Sequence, residues 1–503
     1  MSTTTYDDGV EFAARMAAIA ELASLSPMDY DRVREAAAEK LGVRTATLDA
    51  EVRRARGAAK TNHLPPAYSD DALALAFSDK YHGELRYIAA WSRWLSWNGC
   101  SWRPDDTLQV FDKARSICRE AAAECGDSAT AASVSRAATV AAVERLARGD
   151  RRHASTPDAW DADPWLLNTP SGIVDLKSGD LMSHSPDAFM TKTTAAAPGG
   201  ACPQWQAFLA RVTNQNVELQ AFLQRVAGYC LTGSVREHAL FFLHGIGGNG
   251  KGVFINTLTA VLGDYAVVAG IDTFTASQGD RHPTDLAMLR GARMVTAQET
   301  EEGRRWAEAK IKAMTGGDPI SARFMRADFF TYMPQFKLVI AGNHKPGLRN
   351  VDEAIRRRFH LIPFDVKISA GERDPHLPEK LKIEWPGILQ WAIEGCLAWQ
   401  REGLANPAVV AAATETYFEG EDAVGQWLNE CCVTGKTHQC GSSVLFSSWM
   451  KWAEQAGEHA GSQKRFSQTL VARGFQQTRL GDGKAAFIGL QAAIPTAQHW
   501  TDR

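Results

Sequence analysis

An α/β fold with smaller modules on either side of it is what this sequence predicts, and three observations predict it. A short apolar strand at 239–243 runs into Gly245-Ile246-Gly247-Gly248-Asn249-Gly250-Lys251-Gly252, after which Val253, Phe254, Leu258 and Val261 recur on one side of a helix. Two further apolar runs, 292–298 and 336–342, each read as a buried strand ending in a polar residue, Glu299 and Asn343. At 503 residues the chain exceeds what one core supports, so three or four folding units are expected.

Composition excludes several classes. Hydrophobic residues make up 45% and charged residues 22%, the proportions of a globular protein. No apolar run nears the ~18–20 residues that span a bilayer, and the acidic start MSTTTYDDGVEF has no basic stretch ahead of an apolar one. Neither a membrane segment nor a secretion signal is therefore expected. Nine scattered cysteines read as reduced thiols of a cytoplasm rather than a disulfide framework. A net charge of -3 argues against a uniformly basic nucleic-acid coat and is silent about a local basic lining.

Residues 1–62 read as a helical segment and linker, with two helices at 31–41 and 45–56. Ala38, Gly42 and Leu48 fall where a helix-turn-helix places a small contact, a turn and a buried apolar residue. DNA reading and simple docking on a neighbour both stay open for this hairpin. Residues 63–200 read as an α+β domain. It opens with a hairpin at 87–103 that turns through Asn98-Gly99 as type I′, and Trp91, Trp94, Trp97 and Trp102 are expected to fill a small core rather than to stack on bases. An alanine-rich helical stretch at 121–148 and a second hairpin, 172–176 returning through Ser178-Gly179, follow, and no chemistry is assigned to this region. Residues 201–236 form an amphipathic helical collar on Phe208, Leu209, Val212, Leu219, Phe222, Leu223 and Val226.

The span 237–368 carries the chemistry. Glycines at 245, 247, 248 and 250 let successive N–H groups turn inward around phosphates, Asn249 and Gly252 complete the loop, and the following helix N-terminus adds partial positive charge. Lys251 reaches the β- and γ-phosphates of a nucleotide as a point charge. Gly252 stands where a Ser or Thr hydroxyl normally holds Mg²⁺, and water or another side chain must take that place. Glu299, at a strand's carboxyl end, is expected to polarise the attacking water or hold the metal, directly or through water. Glu301 and Glu302 read as a solvated turn. Asn343 is placed to orient the water against the γ-phosphate. The run Arg356-Arg357-Arg358 precedes a strand at 361–364, and a guanidinium from a neighbouring copy is expected there, Arg358 first and Arg357 second. Between acid and amide, two glycines and then basic residues beside aromatics suit a hairpin on single-stranded DNA, with Lys312, Arg323 and Arg326 as contacts or, equally, as salt-bridge partners.

Residues 369–435 read as a helical region. Residues 436–503 read as a winged-helix-like domain and tail: helices at 444–456 and 463–473, then strands at 475–478 and 485–490 around Gly481-Asp482-Gly483. Lys451, Lys464, Arg465, Arg473 and Arg479 give it a positive bias, with DNA contact and plain packing both open. A zinc site from Cys431, Cys432, His438 and Cys440 is disfavoured by its adjacent cysteines and irregular spacing.

Taken in order, GIGGNGKGVF, MVTAQE, IKAMTGGDPISARFMR, KLVIAGNHKP and AIRRRFHLIPF resemble helicase superfamily 3, and specifically the phage and plasmid DNA primase-helicase family related to poxvirus primase-helicases. WDADPWLLNTPSGIVDLKSGDL and YCLTGSVREHALFF resemble the helicase-associated region of the same family. The resemblance implies an AAA+-like P-loop core and a homo-oligomeric ring, usually a hexamer. It implies ATP and Mg²⁺, and 3′-to-5′ travel on single-stranded DNA at forks. The setting would be replication of a phage, prophage or mobile element in a bacterial cytoplasm, with a primase or host replication proteins as partners. With about seventy residues ahead of the resembling region, primer synthesis is not expected of this chain. The alternative reading is an origin-binding initiator or helicase loader in which ATP controls assembly.

Overall fold

A computed structural model describes residues 7–59, 65–276, 284–298, 303–326, 328–348 and 351–493, with backbone alone at 7–14, 54 and 56–59. Packing divides the chain into two compact units, Met1–Leu95 with Pro104–Ser155, and Ser96–Arg103 with Thr156–Arg503.

In the first unit, helices Asp7–Ser24, Pro27–Lys40 and Thr45–Ala59 enclose Tyr30, Ala38, Leu48 and Val52. The turn between the last two uses Gly42 at φ 65°, and the Tyr30 hydroxyl ties them by donating to Asp49 at 2.8 Å. A second core gathers Phe77, Trp94, Ile117 and Val143 under helices Asp70–Tyr81, Gln109–Glu124, Ser128–Val134 and Ala137–Ala147. The alanine-rich stretch is helical as expected, divided among the last three of these helices. Asp127 accepts from the N–H groups of Ala129 and Thr130 and starts a new helix that propensity alone would have run through.

The turn at 98–101 also departs from expectation. Its central residues are Gly99, at φ 93°, and Cys100, whose φ is not positive, so the type I′ geometry is not formed. The Asn98 carboxamide carries the reversal by accepting from the N–H groups of Cys100 and Ser101 at 2.9 and 2.7 Å.

The second unit is built on one parallel sheet. Helices α1 (Pro203–Val212) and α2 (Val217–Leu231) lead to β1 (Leu240–His244) and α3 (Lys251–Leu262). There follow β2 (Ala266–Val268), β3 (Met294–Gln298), α4 (Glu308–Gly316), the antiparallel pair β4 (Ile320–Ala322) and β5 (Phe330–Tyr332), and β6 (Lys337–Gly342). Then come α5 (Glu353–Arg356), β7 (Phe359–Pro363), α6 (Trp385–Glu402) and α7 (Ala408–Glu421). The five-stranded order is β7-β1-β6-β3-β2, all parallel, so β1 lies between two strands that arrive much later in the chain. Both faces are covered. Along β1, Phe241 and Leu243 enter a core with Trp205, Phe222, Phe254 and Trp399, while Leu240 and Phe242 enter another with Trp306, Ile340 and Phe359. This two-sided burial is why the strands read as unbroken apolar runs.

Two buried cations close the amino edge of the sheet. Arg293 donates to the carbonyls of Leu231, Asp163 and Leu166, and Lys337 to those of Thr232 and Ser234. Ahead of the sheet, strands Leu166–Thr169, Gly172–Asp175 and Leu181–Met182 form an antiparallel meander, the second turn of which passes through Gly179 at φ 87°.

The chain ends in α8 (Ala423–Cys431), β8 (Cys432–Gly441), α9 (Ser442–Ala456), α10 (Gln463–Ala472), β9 (Gln476–Arg479) and β10 (Ala485–Ala492) around Trp427, Leu445, Trp449, Phe466 and Phe487. The expected helix, helix and ribbon are present. Strand β8 is an addition, pairing antiparallel with β10 through an irregularity between Thr434 and Gln439. Among the described residues no helix is long and apolar enough to cross a membrane.

Candidate functional site

Sheet register brings three chain segments to one point. His244, the last residue of β1, pairs with Gly342 of β6 on one side and Pro363 of β7 on the other. The residues that follow each strand, Gly245, Asn343 and Phe364, therefore emerge together at the carboxyl edge, where open α/β sheets bind ligands. The Gly245–Gly250 loop turns there into α3, whose N-cap Gly250 takes φ 89°. A side chain at that position would also strike Val212 and Phe208 of α1.

Lys251 fills the centre of this arrangement and is only 6% exposed. Its Nζ donates to Gly245 O at 2.6 Å and to the carboxamide oxygens of Asn249 and Asn343 at 3.1 Å each. All three acceptors are neutral, and no carboxylate pairs with it among the described residues. Burial alone pulls its pKa below the usual lysine range. An enclosed ammonium without a countercharge among the described residues, at the start of a helix that follows a glycine loop, can accept an anion. Asn249 also anchors the loop, since its Nδ2 donates to Phe364 O at 2.7 Å and fastens the glycine run to the end of β7. His244, beside the site, is held below the ordinary histidine range by burial and then by the charges of Lys345 and Lys251.

Beside Gly252, the described residues offer an amide oxygen. A Cβ on Gly252 would lie 4.0 Å from Gln298 Oε1, and the Gln298 Nε2 donates to Asn256 Oδ1 at 2.6 Å. The Gln298 oxygen thus faces the space that a hydroxyl at 252 would occupy. Glu299, the carboxylate expected at the end of β3, lies outside the described residues, as do Glu301 and Glu302.

The arginine run sits at the opposite edge of the sheet. Arg358 immediately precedes β7, and its carbonyl accepts from the N–H of Leu240, the first residue of β1. Five residues of strand, roughly 16 Å, separate it from the loop end. The residue is 7% exposed, and its guanidinium donates to Thr315 Oγ1 at 3.1 Å and Ala354 O at 2.6 Å. Arg356 pairs with Glu415 at 2.8 Å. Arg357 is exposed and has no ion pair among the described residues. Of the two finger candidates, the second choice is the one that projects outward.

Lys312, on α4, is held by Asp352 at 2.5 Å. The β4–β5 hairpin carries Arg323 and Arg326 at its tip, with Arg326 exposed at φ 61° and the Arg323 guanidinium 4.7 Å over the Phe329 ring. Phe324, Met325 and Phe329 are 49%, 71% and 60% exposed there, an apolar surface that a folded core would not leave in water without a use. Among the described residues, neither the tip nor Lys312 hydrogen-bonds to the Lys251 cluster. In the terminal module, Lys464 and Arg465 lie on the exposed side of α10 and Lys451 and Arg479 are exposed, while Arg473 is tied to Asp422. Gln298, Asn256 and Arg373 were not singled out from the sequence. Gln298 could have been, since it stands next to the acid of the second strand.

Among known proteins, residues 74–214 match the family described as D5 N terminal like, and residues 243–358 match a family of unknown function, DUF5906. A candidate helicase L207/L206 of Acanthamoeba polyphaga mimivirus is 23% identical over 58% of this chain and 33% of its own length. A candidate helicase 022R of Frog virus 3 is 26% identical over 50% of this chain and 28% of its own. These matches support a likeness to phage and viral primase-helicases. The chain spans about a third or less of the length of these relatives. An apo structure of the NrS-1 C-terminal region shares 10% identity over 84% of this chain and 99% of that one, with a TM-score of 0.47. Within the family span 243–358 lie the glycine loop, Asn343 and the arginine run, whereas Phe364 and Arg373 lie beyond it.

Proposed function

We propose that this chain is the ATP-hydrolysing motor of a replicative DNA helicase of a phage, prophage or mobile element, with an AAA+-like P-loop core. In this reading it works as a ring of identical copies, a hexamer by family resemblance, moving 3′-to-5′ on single-stranded DNA. The observation that carries the proposal is Lys251: an enclosed ammonium with only neutral partners, at a glycine loop, at the carboxyl edge of a parallel sheet.

On binding, the triphosphate oxygens replace Gly245 O and the two carboxamides around Nζ, and the loop N–H groups take the rest of the charge. Asn343, released from Lys251, is free to hold the attacking water. Glu299 is the proposed base or water-polarising carboxylate. Mg²⁺, when bound, neutralises phosphate charge; Gln298 Oε1 and water fit the place of the missing hydroxyl. Arg357 of a neighbouring copy supplies the guanidinium, with Arg358 holding the base of β7. The aromatic and basic tip of the β4–β5 hairpin supports a DNA contact through Arg323 and Arg326, because stacking and phosphate pairing work together on single strands.

The test is DNA-stimulated ATP hydrolysis and unwinding of 3′- and 5′-tailed forks by the full chain. Lys251→Ala should abolish both; hydrolysis at the normal rate in that variant would remove the phosphate assignment. A second reading, an origin-binding initiator, is favoured by one observation. Residues 432–493 carry seven Lys and Arg against three Asp and Glu, in a chain that is net acidic, on a winged-helix-like arrangement. Sequence-specific duplex binding without strand separation would select it.

A further inference from the structure

We infer that Arg373 is a second cation for the phosphates of the bound nucleotide, supplied by the same subunit that holds the glycine loop. The inference rests on the nucleotide reading above and adds a residue to it.

Arg373 lies on the loop itself. Gly248, at φ 72°, leaves its Cβ position empty, and the Arg373 Nη2 sits 2.6 Å from that position, with Cζ at 3.4 Å and Nε at 3.8 Å. The contact is held from both sides. The Ile368 N–H donates to Gly248 O at 3.0 Å, and Arg373 Nε donates to Ile368 O at 3.3 Å. Glycine at 248 is therefore required twice, by its backbone angle and by the guanidinium that fills its side-chain space.

The charge of Arg373 is also unspent. Its two sequence neighbours are acids, and both are engaged elsewhere. Glu372 accepts from Arg211 at 3.1 Å and from the Ser369 N–H at 3.1 Å, while Asp374 accepts from Lys380 at 2.6 Å. No carboxylate pairs with Arg373 among the described residues, and its side chain is exposed. A guanidinium is planar, permanently charged and matched to phosphate oxygens. One that rests without a countercharge on the loop that leads into Lys251, itself held by neutral partners only, completes a two-cation clamp. Unlike Arg357, it needs no neighbouring copy.

The experiment is isothermal titration of the full chain with three probes: ATP with Mg²⁺, inorganic tripolyphosphate, and adenosine. Arg373→Ala should weaken ATP and tripolyphosphate by roughly tenfold to a hundredfold while leaving adenosine unchanged, and Arg373→Lys should recover part of the loss. An unchanged thermal midpoint for Arg373→Ala excludes misfolding, and Arg373→Lys serves if it does not hold. Normal ATP binding by Arg373→Ala, with weak binding by Lys251→Ala, would overturn the inference and leave the nucleotide site standing. Normal ATP binding by Lys251→Ala would remove the site itself. Equal loss of adenosine and ATP would place Arg373 against the base and overturn its phosphate role.

Discussion

Two enclosed lysines sit at opposite edges of the same sheet and behave differently because of what surrounds them. Lys251 is held by one carbonyl oxygen and two side-chain carboxamide oxygens. Lys337 is sealed in, over the Tyr229 ring and against carbonyl oxygens, and burial pushes its pKa down to about 7. Between that value and the unfolded value near ~10.4, the unfolded chain binds a proton that the folded one lacks, so stability rises with pH. The slope approaches about 1.4 kcal/mol per pH unit. It is cleanest from pH 7 to 8.5, because above that range buried thiols such as Cys230, pushed up to about 12, begin to act in the opposite sense. Urea midpoints at the two ends of this window should rise in the native chain, and the rise should vanish in Lys337→Met. An unchanged rise would move its cause to another group. At the site, Asn249→Ala should loosen the loop from Phe364 and weaken ATP binding without the complete loss expected of Lys251→Ala, which titration of both variants checks.

At the scale of elements, α2 and α6 touch backbone to backbone. A Cβ on Gly228 would run into the main chain at Gly395-Cys396, and one on Gly395 into the Gln224 carbonyl. Neither obstacle is a side chain that can swing aside, so Gly228→Ala and Gly395→Ala should each cost ~3 kcal/mol or more, beyond ordinary overpacking. Thermal unfolding would show this as a fall in Tm of several degrees. The sequence showed the apolar side of α2 plainly, through Phe222, Leu223 and Val226, but not the partner, since helix pairing over some 170 residues leaves no local trace. The same holds at the site. Gly245 to Lys251 and Asn343 were legible because glycine spacing and strand ends are local signals. Arg373 was not, because a loop residue between two acids looks like solvated surface until the fold lays it on Gly248. Helix breaks at Asp127 and the turn at Asn98 were missed for a related reason: single side chains accepting backbone hydrogens overrode propensity.

For the whole molecule, an overall charge of -3 conceals a terminal stretch, residues 432–493, with seven Lys and Arg against three Asp and Glu. Assembly can be tested by mixing. Arg357→Ala copies and Lys251→Ala copies, each inactive alone, should recover part of the hydrolysis when combined, since an arginine acting across an interface contributes roughly 10³–10⁵ in rate. Absence of rescue at every ratio would confine the chemistry to single copies. Repeating the mixture with Arg358→Ala separates the outward arginine from the enclosed one.

Strand β7 has a further mechanical meaning. Its leading end adjoins the arginine run, its trailing end holds the Asn249 carboxamide, and both ends are pinned to β1 by backbone hydrogen bonds. A rod of five residues cannot shift at one end and stay still at the other. Under the proposed function, a rearrangement of the glycine loop on loss of a phosphate would be passed along this strand to the arginine run, which would give a ring of such copies a reason to fire in sequence rather than at random.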